Sequence, residues 1–245
     1  MGLRCKFGDA IALRAASDSI ADILDREELH EWAAHQQERV ELQGRGIAYM
    51  VALPGQPGQV VIRHNRHGGL LAPLTGDLFL PPTRGPLELA ASAQLRKLGV
   101  PTPEVVAVAT TKAAALFRRA DVATRALSPS FDLGAALVGD DDAVRVAAIA
   151  ATERLIAQLS KVGARHPDLN VKNVLLVGNA LAPVAHILDV DRVSFRTDRV
   201  AVARDNASRL QRSARKWRVE HKAHITDEEL GALADAAMAG AAPTA

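Results

Sequence analysis

The stretch His166-Pro167-Asp168-Leu169-Asn170-Val171-Lys172-Asn173 decides how the rest of this sequence is interpreted. An apolar run, Val174-Leu175-Leu176-Val177, follows it at once, and a second apolar run ends in Asp189-Val190-Asp191. Two short apolar runs at this separation predict a β-hairpin. The hairpin would bring Asn173, at the start of its first strand, close to Asp189, at the end of its second strand.

This arrangement supplies the groups that phosphoryl transfer requires. Magnesium prefers hard oxygen ligands and takes few of them from the protein, because nucleotide phosphates supply the rest. One amide oxygen from Asn173 and one carboxylate from Asp189 would suffice, which leaves Asp168 to accept the proton of a substrate hydroxyl. Asp and Asn in loops are more often turn residues, but the H-x-D-L-x-x-x-N spacing followed by an apolar strand is typical of phosphotransferases.

Further motifs, taken in order, resemble the lipopolysaccharide kinase family, and within it the kinases that phosphorylate the Kdo sugar of the inner core. The resemblance spans about residues 44–215. Besides the stretch that opens with His166, it is carried by Arg63-His64-Asn65-Arg66-His67-Gly68-Gly69-Leu70, Gly99-Val100-Pro101-Thr102-Pro103, Arg119-Ala120-Asp121, Asp189-Val190-Asp191-Arg192, and Arg204-Asp205-Asn206 through Arg209-Leu210 to Arg212-Ser213. It implies transfer of the γ-phosphoryl group of ATP to a sugar hydroxyl, with Asp168 as catalytic base and with Asn173 and Asp189 on Mg²⁺.

The fold that the resemblance implies is α+β, a two-lobed protein-kinase-like fold. Its N-terminal lobe, residues 1–124, would be an antiparallel sheet with one helix and would grip the phosphates of ATP. Its C-terminal lobe, residues 125–245, would be mostly helical and would carry the catalytic loop, the metal site and the acceptor site.

A hairpin is predicted in the first lobe, where a period-2 run from Ile47 to Leu53 turns at glycine and proline and returns from Gln59 to Arg63. Gly44 and Gly46 precede it, and they either let backbone N–H groups approach the phosphates or belong to an ordinary loop. Arg63 stands where the resemblance places the cation on the α- and β-phosphates, which is usually a lysine. A guanidinium can bind phosphate bidentately, although it does not reproduce the point charge of a lysine.

The next helix is predicted over residues 84–98, with Leu87, Leu95 and Leu98 on its apolar stripe and Gly99 at its end. Glu88 is its only carboxylate. The resemblance pairs Glu88 with Arg63, and the alternative for Glu88 is a solvated surface acid.

Periodicity predicts the remaining elements. Residues 8–43 have helical spacing, with Asp18 or Ser19 as a helix cap. Strands over 105–109 and 113–117 would complete a sheet of about five strands, and residues 119–124 would lead out as a hinge whose backbone binds adenine. A short helix over 132–138 and a long helix capped by Asp141 or Asp142 would open the second lobe.

Composition indicates a globular protein, since 48% of the 245 residues are hydrophobic and the net charge is +2. Cys5 is the only cysteine, which excludes an intrachain disulfide. No apolar run approaches the roughly 18 residues that a membrane span needs. We therefore expect a cytoplasmic protein without a transmembrane segment, able to associate peripherally with the inner membrane, and we expect no nucleic-acid partner.

Positive charge is concentrated late in the chain, at Arg192, Arg196, Arg199, Arg204, Arg209, Arg212, Arg215, Lys216, Arg218 and Lys222. This run is either a solvated helix face or the contact surface of an anionic partner, here a glycolipid acceptor at the inner membrane surface. Helical spacing places Arg204, Arg212 and Arg215 near one side and Arg209 apart from them.

The basic helix would begin within about ten residues of Asp189, too soon for the activation segment that seats a peptide in protein kinases.

Other functions remain open from the residues alone. A pseudokinase or scaffold would keep the fold without turnover; Arg63 in place of lysine favours it, and the presence of Asp168, Asn173 and Asp189 opposes it. A small-molecule phosphotransferase or a protein kinase would share the same loop, but the motifs that begin at Arg63 and Arg204 favour the glycolipid acceptor. Asp191 is open between a second metal ligand and a backbone-binding role.

Overall fold

The computed structural model describes residues 1–43, 46–65, 83–114 and 117–242. The chain forms two compact units, one of residues 1–93 and 104–126 and the other of residues 94–103 and 127–245. The first contains an antiparallel sheet with helices, and the second is mostly helical. This is the α+β architecture that the sequence predicted.

The first unit is built on a seven-stranded antiparallel sheet with the order β1-β2-β6-β7-β5-β4-β3. Its strands are β1 Gly2–Cys5, β2 Gly8–Ala12, β3 Val40–Gln43, β4 Ile47–Ala52, β5 Gln59–His64, β6 Val105–Ala114 and β7 Phe117–Arg125. The predicted hairpin is confirmed as β4 and β5, which pair from Ala48 opposite Arg63 to Ala52 opposite Gln59. The sheet has two strands more than expected.

The prediction of helical spacing over residues 8–43 is only partly correct, because β2 and β3 lie in this segment and β1 precedes it. The strands β1 and β2 form a hairpin, and β2 buries alternate residues, Ala10 and Ala12. Each strand is only four or five residues long, which is too short for period 2 to stand out. Helices occur only at α1 Ser17–Leu24 and α2 Leu29–His35.

The predicted cap of α1 is wrong. The N-cap is Ala16, which makes no side-chain capping bond, and Asp18 lies inside the first turn. The hydroxyl of Ser19 donates instead to the carbonyl oxygen of Pro54 at 2.5 Å. The apolar face was predicted correctly, because Ile20, Ile23 and Leu24 are all buried.

The strand boundaries after residue 104 also differ from the prediction. Residues 105–114 form one strand, and residues 119–124, predicted as a hinge, lie inside the central strand β7. Thr124 of β7 pairs with Val61 on one side and with Val105 on the other. The run from Val105 to Arg125 contains no glycine or proline, so the sequence carries no turn signal at the true boundary.

Helix α3, Gly85–Lys97, buries the face formed by Glu88, Ala91, Ser92 and Leu95, which is the i, i+3, i+4, i+7 spacing of one helix face. Leu87 and Leu98, both predicted for the apolar stripe, are 61% and 45% exposed. The helix ends as predicted at Gly99, whose φ of 78° favours glycine. The buried carboxylate of Glu88 therefore replaces an expected leucine on the packed face.

The second unit contains four helices among its described residues, α4 Leu133–Val138, α5 Asp142–Lys161, α6 Arg199–Glu220 and α7 Asp227–Ala241. Its strands are β8 Ser130–Asp132, β9 Ala164–Arg165, β10 Val174–Val177, β11 Val184–Ile187 and β12 Ser194–Phe195. The long helix α5 is capped by Asp141, whose carboxylate accepts hydrogen bonds from the N–H groups of Ala143 and Val144. It packs against α6 and α7 and leads to the loop that starts at His166.

Candidate functional site

The predicted hairpin after the loop is present and holds the loop in place. The strands β10 and β11 pair from Val174 opposite Ile187 to Val177 opposite Val184. Beyond this ladder the N–H of Leu188 donates to the carbonyl oxygen of Asn173 at 2.9 Å. Asn173 is thus joined to the residue that precedes Asp189, as the spacing predicted.

His166 connects the two sides of this site through its ring. Nε2 lies 2.9 Å from the carbonyl oxygen of Leu188, and Nδ1 accepts the N–H of Asp168 at 3.2 Å. Because Nδ1 accepts, Nε2 must carry the proton, so these bonds select the neutral tautomer. Burial of the ring lowers the pKa of His166 below its usual value. A histidine held in this neutral tautomer positions the loop and does not act as a proton-transfer group.

Asn173 is tied to the same loop in a way that orients its amide. Nδ2 donates to the carbonyl oxygen of Asp168 at 2.8 Å, which leaves Oδ1 directed away from that bond. Asn170 caps the 3₁₀ turn Val171–Asn173, since its Oδ1 accepts from the N–H groups of Lys172 and Asn173. Among the described residues, Oδ1 of Asn173 has no hydrogen-bond donor. It is a hard oxygen that remains available to a cation.

Asp168 presents its carboxylate to solvent, while its backbone is fixed. Its carbonyl oxygen accepts from Asn170 and Asn173, and its N–H donates to His166. Within residues 1–43, 46–65, 83–114 and 117–242, the carboxylate itself makes no hydrogen bond. The group predicted to act as base is therefore exposed on a rigid backbone.

Asp189 follows the end of β11 in a left-handed backbone conformation, with φ 53° and ψ 52°. Such a conformation costs a non-glycine residue roughly 1 kcal/mol, and Asp and Asn tolerate it best. It turns the chain sharply into the 3₁₀ helix Val190–Arg192. The side chain of Asp189 is exposed, and that of Asp191 is half-buried.

In the other unit, Arg63 and Glu88 form an ion pair, as predicted from the resemblance. Nη2 of Arg63 donates to Oε1 of Glu88 at 2.5 Å, and Nη1 donates to Oδ1 of Asn65 at 2.7 Å. The side chain of Glu88 is 6% exposed and that of Arg63 is 30% exposed. Glu88 is thus no solvated surface acid; it fixes one edge of a guanidinium whose other parts reach the surface.

The predicted glycines are only partly covered by the structure. Gly44 lies outside the described residues, and Gly46 forms a bend directly before β4. The hinge prediction needs a correction, because the backbone of residues 119–124 belongs to β7. The N–H groups of Arg125 and Ala126 already donate to the carbonyl oxygens of Glu104 and Gln59, so these two N–H groups are not available to adenine.

Comparison with known proteins assigns the chain to a family. The sequence model of the lipopolysaccharide kinase (Kdo/WaaP) family matches residues 30–236. The chain belongs to this family. It is 33% identical over 181 residues to the 3-deoxy-D-manno-octulosonic acid kinase of Stenotrophomonas maltophilia strain R551-3, covering 72% of this chain and 69% of the relative. It is 29% identical over 206 residues to the protein of that name from Vibrio vulnificus strain CMCP6, covering 82% and 84%.

The fold of this lipopolysaccharide kinase family member also matches a solved structure. A structure described as WaaP in complex with acyl carrier protein superimposes with a TM-score of 0.57 and covers 93% of this chain and 88% of that chain. The two sequences are 16% identical, so this match supports the fold alone. The chain is a phosphotransferase of the kinase-like α+β class. No helix in its described residues is both long and apolar enough to cross a membrane.

Two residues that the sequence analysis did not single out hold the loop of this kinase on α6. The buried Asn206 accepts the N–H of His166 at 3.0 Å and donates to the carbonyl oxygen of Ala164 at 2.9 Å. The hydroxyl of Ser213 accepts the N–H of Val171 at 3.2 Å. Both belong to the motif that runs from Arg204 to Ser213. That motif carried the resemblance, but a sequence pattern does not say which of its polar side chains turn inward.

Proposed function

We propose that this kinase transfers the γ-phosphoryl group of ATP to a hydroxyl of 3-deoxy-D-manno-octulosonic acid (Kdo) in the lipopolysaccharide inner core. The curated relatives named above carry this activity in their names. The observation that carries the proposal is the loop from His166 to Asn173, in which an exposed carboxylate and an oriented amide oxygen are fixed by partly buried hydrogen bonds.

In this proposal Asp168 is the catalytic base. Its carboxylate accepts the proton of the attacking sugar hydroxyl as the bond from that oxygen to the γ-phosphorus forms and the bond from the γ-phosphorus to the bridging oxygen of ADP breaks, so that ADP leaves. The fixed backbone limits the positions that the carboxylate can take, which reduces the entropy lost on reaching the reactive arrangement. His166 supports this arrangement as a neutral linker between Asp168 and Leu188.

Asn173 and Asp189 would hold Mg²⁺ in the same proposal. The pair offers one amide oxygen and one carboxylate, both hard donors, and this set suits an ion that keeps most of its coordination for phosphate and water. When bound, the ion neutralises charge on the phosphate oxygens. The left-handed turn at Asp189 and the bond from Asn173 to Asp168 orient the two donors.

Arg63 would bind the nucleotide phosphates, with Glu88 as its support. The ion pair uses Nη2 of the guanidinium, and Asn65 uses Nη1, so the group is held in one orientation. A planar guanidinium suits phosphate oxygens through paired N–H donors. This argues against the pseudokinase alternative, since the residue that replaces lysine is supported by the same kind of carboxylate.

The acceptor is a glycolipid and not a peptide in this proposal. Helix α6 begins at Arg199, ten positions after Asp189, which leaves no room for a peptide-seating segment of the protein-kinase kind. The enzyme would act at the cytoplasmic face of the inner membrane, where such an acceptor is made.

The test is direct phosphorylation of a defined acceptor. Purified protein is incubated with Mg-ATP and lipid A that carries Kdo, and the glycolipid is analysed by mass spectrometry. One added phosphate, located on the Kdo residue by fragmentation, supports the proposal. No added phosphate with wild-type protein, or a phosphate on another sugar, contradicts it. Peptide and aminoglycoside acceptors in parallel reactions test the other acceptor classes.

A further inference from the structure

Four arginines of α6 spread over about 140° of rotation around the helix, with Arg204 at one edge and Arg209 at the other. Successive residues of an α-helix are rotated by about 100°. Asp205, Arg209 and Arg212 have the spacing i, i+4, i+7, so they form one stripe. Arg204 and Arg215 lie about 140° and 120° of rotation from Arg209, and both are exposed. Arg212 lies between Arg209 and these two residues: it is on their side of the helix, as the spacing predicted, but it is also within about 20° of rotation of Asp205.

Of the three residues of this stripe, Arg209 lies nearest the side of α6 that holds the catalytic loop. Asn206 and Ser213, which bind the backbone of His166 and Val171, are two turns apart. Arg209 lies between them along the helix axis, rotated by about 60° from Asn206 and 40° from Ser213. The loop therefore runs past Arg209 on its way to Asp168.

A third arginine joins this stripe from the start of the loop. Nε of Arg165 donates to Oδ2 of Asp205 at 2.6 Å. That hydrogen bond, with smaller contributions from the charges of Arg165, Arg209 and Arg212, lowers the pKa of Asp205 below its usual value. Three cations thus share one carboxylate, which leaves two positive charges uncompensated within the cluster.

The guanidinium groups of this cluster also retain hydrogen-bonding capacity. In the portion of the chain that the structure describes, neither Arg209 nor Arg212 donates a hydrogen bond to protein, and Arg165 donates only through Nε. Lys216, one turn beyond Arg212, lies 3.7 Å from Glu220 and is compensated there. The local excess of charge therefore belongs to Arg165, Arg209 and Arg212.

We propose that Arg209 and Arg212, with Arg165 held beside them by Asp205, bind the carboxylate of the acceptor sugar. This inference rests on the proposed function, in which the acceptor is an octulosonic acid. A sugar acid is ionised at neutral pH. A carboxylate is the planar anion that two N–H donors of an arginine match best. Arg165 lies three residues before the proposed base, so the anchor would hold the sugar whose hydroxyl is phosphorylated.

The experiment compares two double variants of equal charge change. Arg209→Gln with Arg212→Gln removes the proposed anchor, and Arg204→Gln with Arg215→Gln removes the same charge from two other arginines of α6. Both are assayed with Mg-ATP and Kdo-lipid A, and with the same glycolipid after its Kdo carboxylate has been converted to the methyl ester. The ester keeps every phosphate of the acceptor and loses only the carboxylate charge.

We expect the anchor variant to raise the acceptor KM roughly 10- to 100-fold, the range for losing charge-assisted hydrogen bonds. Its KM for ATP should stay within about twofold of wild type, since neither arginine is assigned to the nucleotide. The Arg204/Arg215 variant should match wild type. With the methyl ester, wild type should show the raised KM, and the anchor variant should add little to it.

A merely structural effect of these substitutions would appear as an equal rise of KM for acid and ester, and that result overturns the proposal. So does an unchanged KM, or an equal rise in the Arg204/Arg215 variant, which would indicate diffuse attraction to a charged lipid surface. If the anchor variant does not fold, Arg209→Lys with Arg212→Lys keeps the charge and should show a smaller rise confined to the acid. Failure of wild type to phosphorylate Kdo-lipid A at all instead refutes the proposed function.

Discussion

Replacing Arg63 by alanine should destabilise the first unit, because it removes the partner of a buried carboxylate. Glu88 is 6% exposed at its side chain and loses a 2.5 Å charge-assisted bond. Removing the cation from a buried ion pair costs about 3 kcal/mol. Because Arg63 is 30% exposed and solvent screens its charge, we expect a smaller loss of about 2 kcal/mol.

The reasoning is tested by a double-mutant cycle. Glu88→Gln keeps the shape and removes the charge, so adding it to Arg63→Ala should cost far less than the sum of the two single changes, with a coupling of at least about 1 kcal/mol. Arg4→Ala, an exposed change in the same unit, should stay within about 0.5 kcal/mol of wild type. The same pair should be non-additive in the KM for ATP.

The measurement is urea unfolding followed in the first unit. Trp32 lies in this unit and Trp217 in the other, so Trp32 fluorescence in a Trp217→Phe background reports the first unit separately. Additive losses of unfolding free energy would show that the ion pair does not stabilise the fold and would refute the argument from burial.

Further predictions concern the catalytic loop and its flanking turn. Asp189→Asn keeps a residue that tolerates the left-handed backbone, so thermal stability should change little while Mg²⁺-dependent ATP binding, measured by calorimetry, should be lost; unchanged binding would remove Asp189 from the metal site. Burial lowers the pKa of His166, so the unfolded chain binds a proton at this residue more readily than the folded protein does. The contribution of His166 to the free energy of unfolding is therefore complete above the unfolded pKa of about 6.5 and declines as the pH falls below it. Urea unfolding between pH 7.5 and pH 5.5, about one unit either side of that pKa, should show a shallower decline of unfolding free energy in His166→Gln; an identical decline would contradict the neutral assignment.

The elements that the sequence predicted well are those with a strong local signal. The hairpin of β4 and β5 is bounded by glycine and proline, and the long helix has an acidic cap at Asp141. The loop from His166 to Asn173 was recognisable because the reaction determines the spacing of its polar residues. Its polar groups must be placed at fixed intervals for phosphoryl transfer, whatever surrounds them.

The elements that were missed depend on tertiary pairing. The strands β1 and β2 are only four and five residues long, so their period is weak. The boundary between β6 and β7 has no glycine or proline, and its place is set by pairing within the sheet. The inward direction of Glu88 and the bond from Arg165 to Asp205 depend on the tertiary fold, which a linear pattern does not encode.

The most direct test of the central claim is the turnover of Asp168→Asn on Kdo-lipid A. The carboxylate is exposed, so the variant should fold and bind Mg-ATP as wild type does, while its single-turnover rate falls by roughly 100-fold or more, the usual contribution of a general base. Asp140→Asn, an exposed aspartate of the same unit, serves as the matched control and should keep the wild-type rate. Phosphorylation of Kdo-lipid A by Asp168→Asn at the wild-type rate would contradict the assignment of the loop as the catalytic centre.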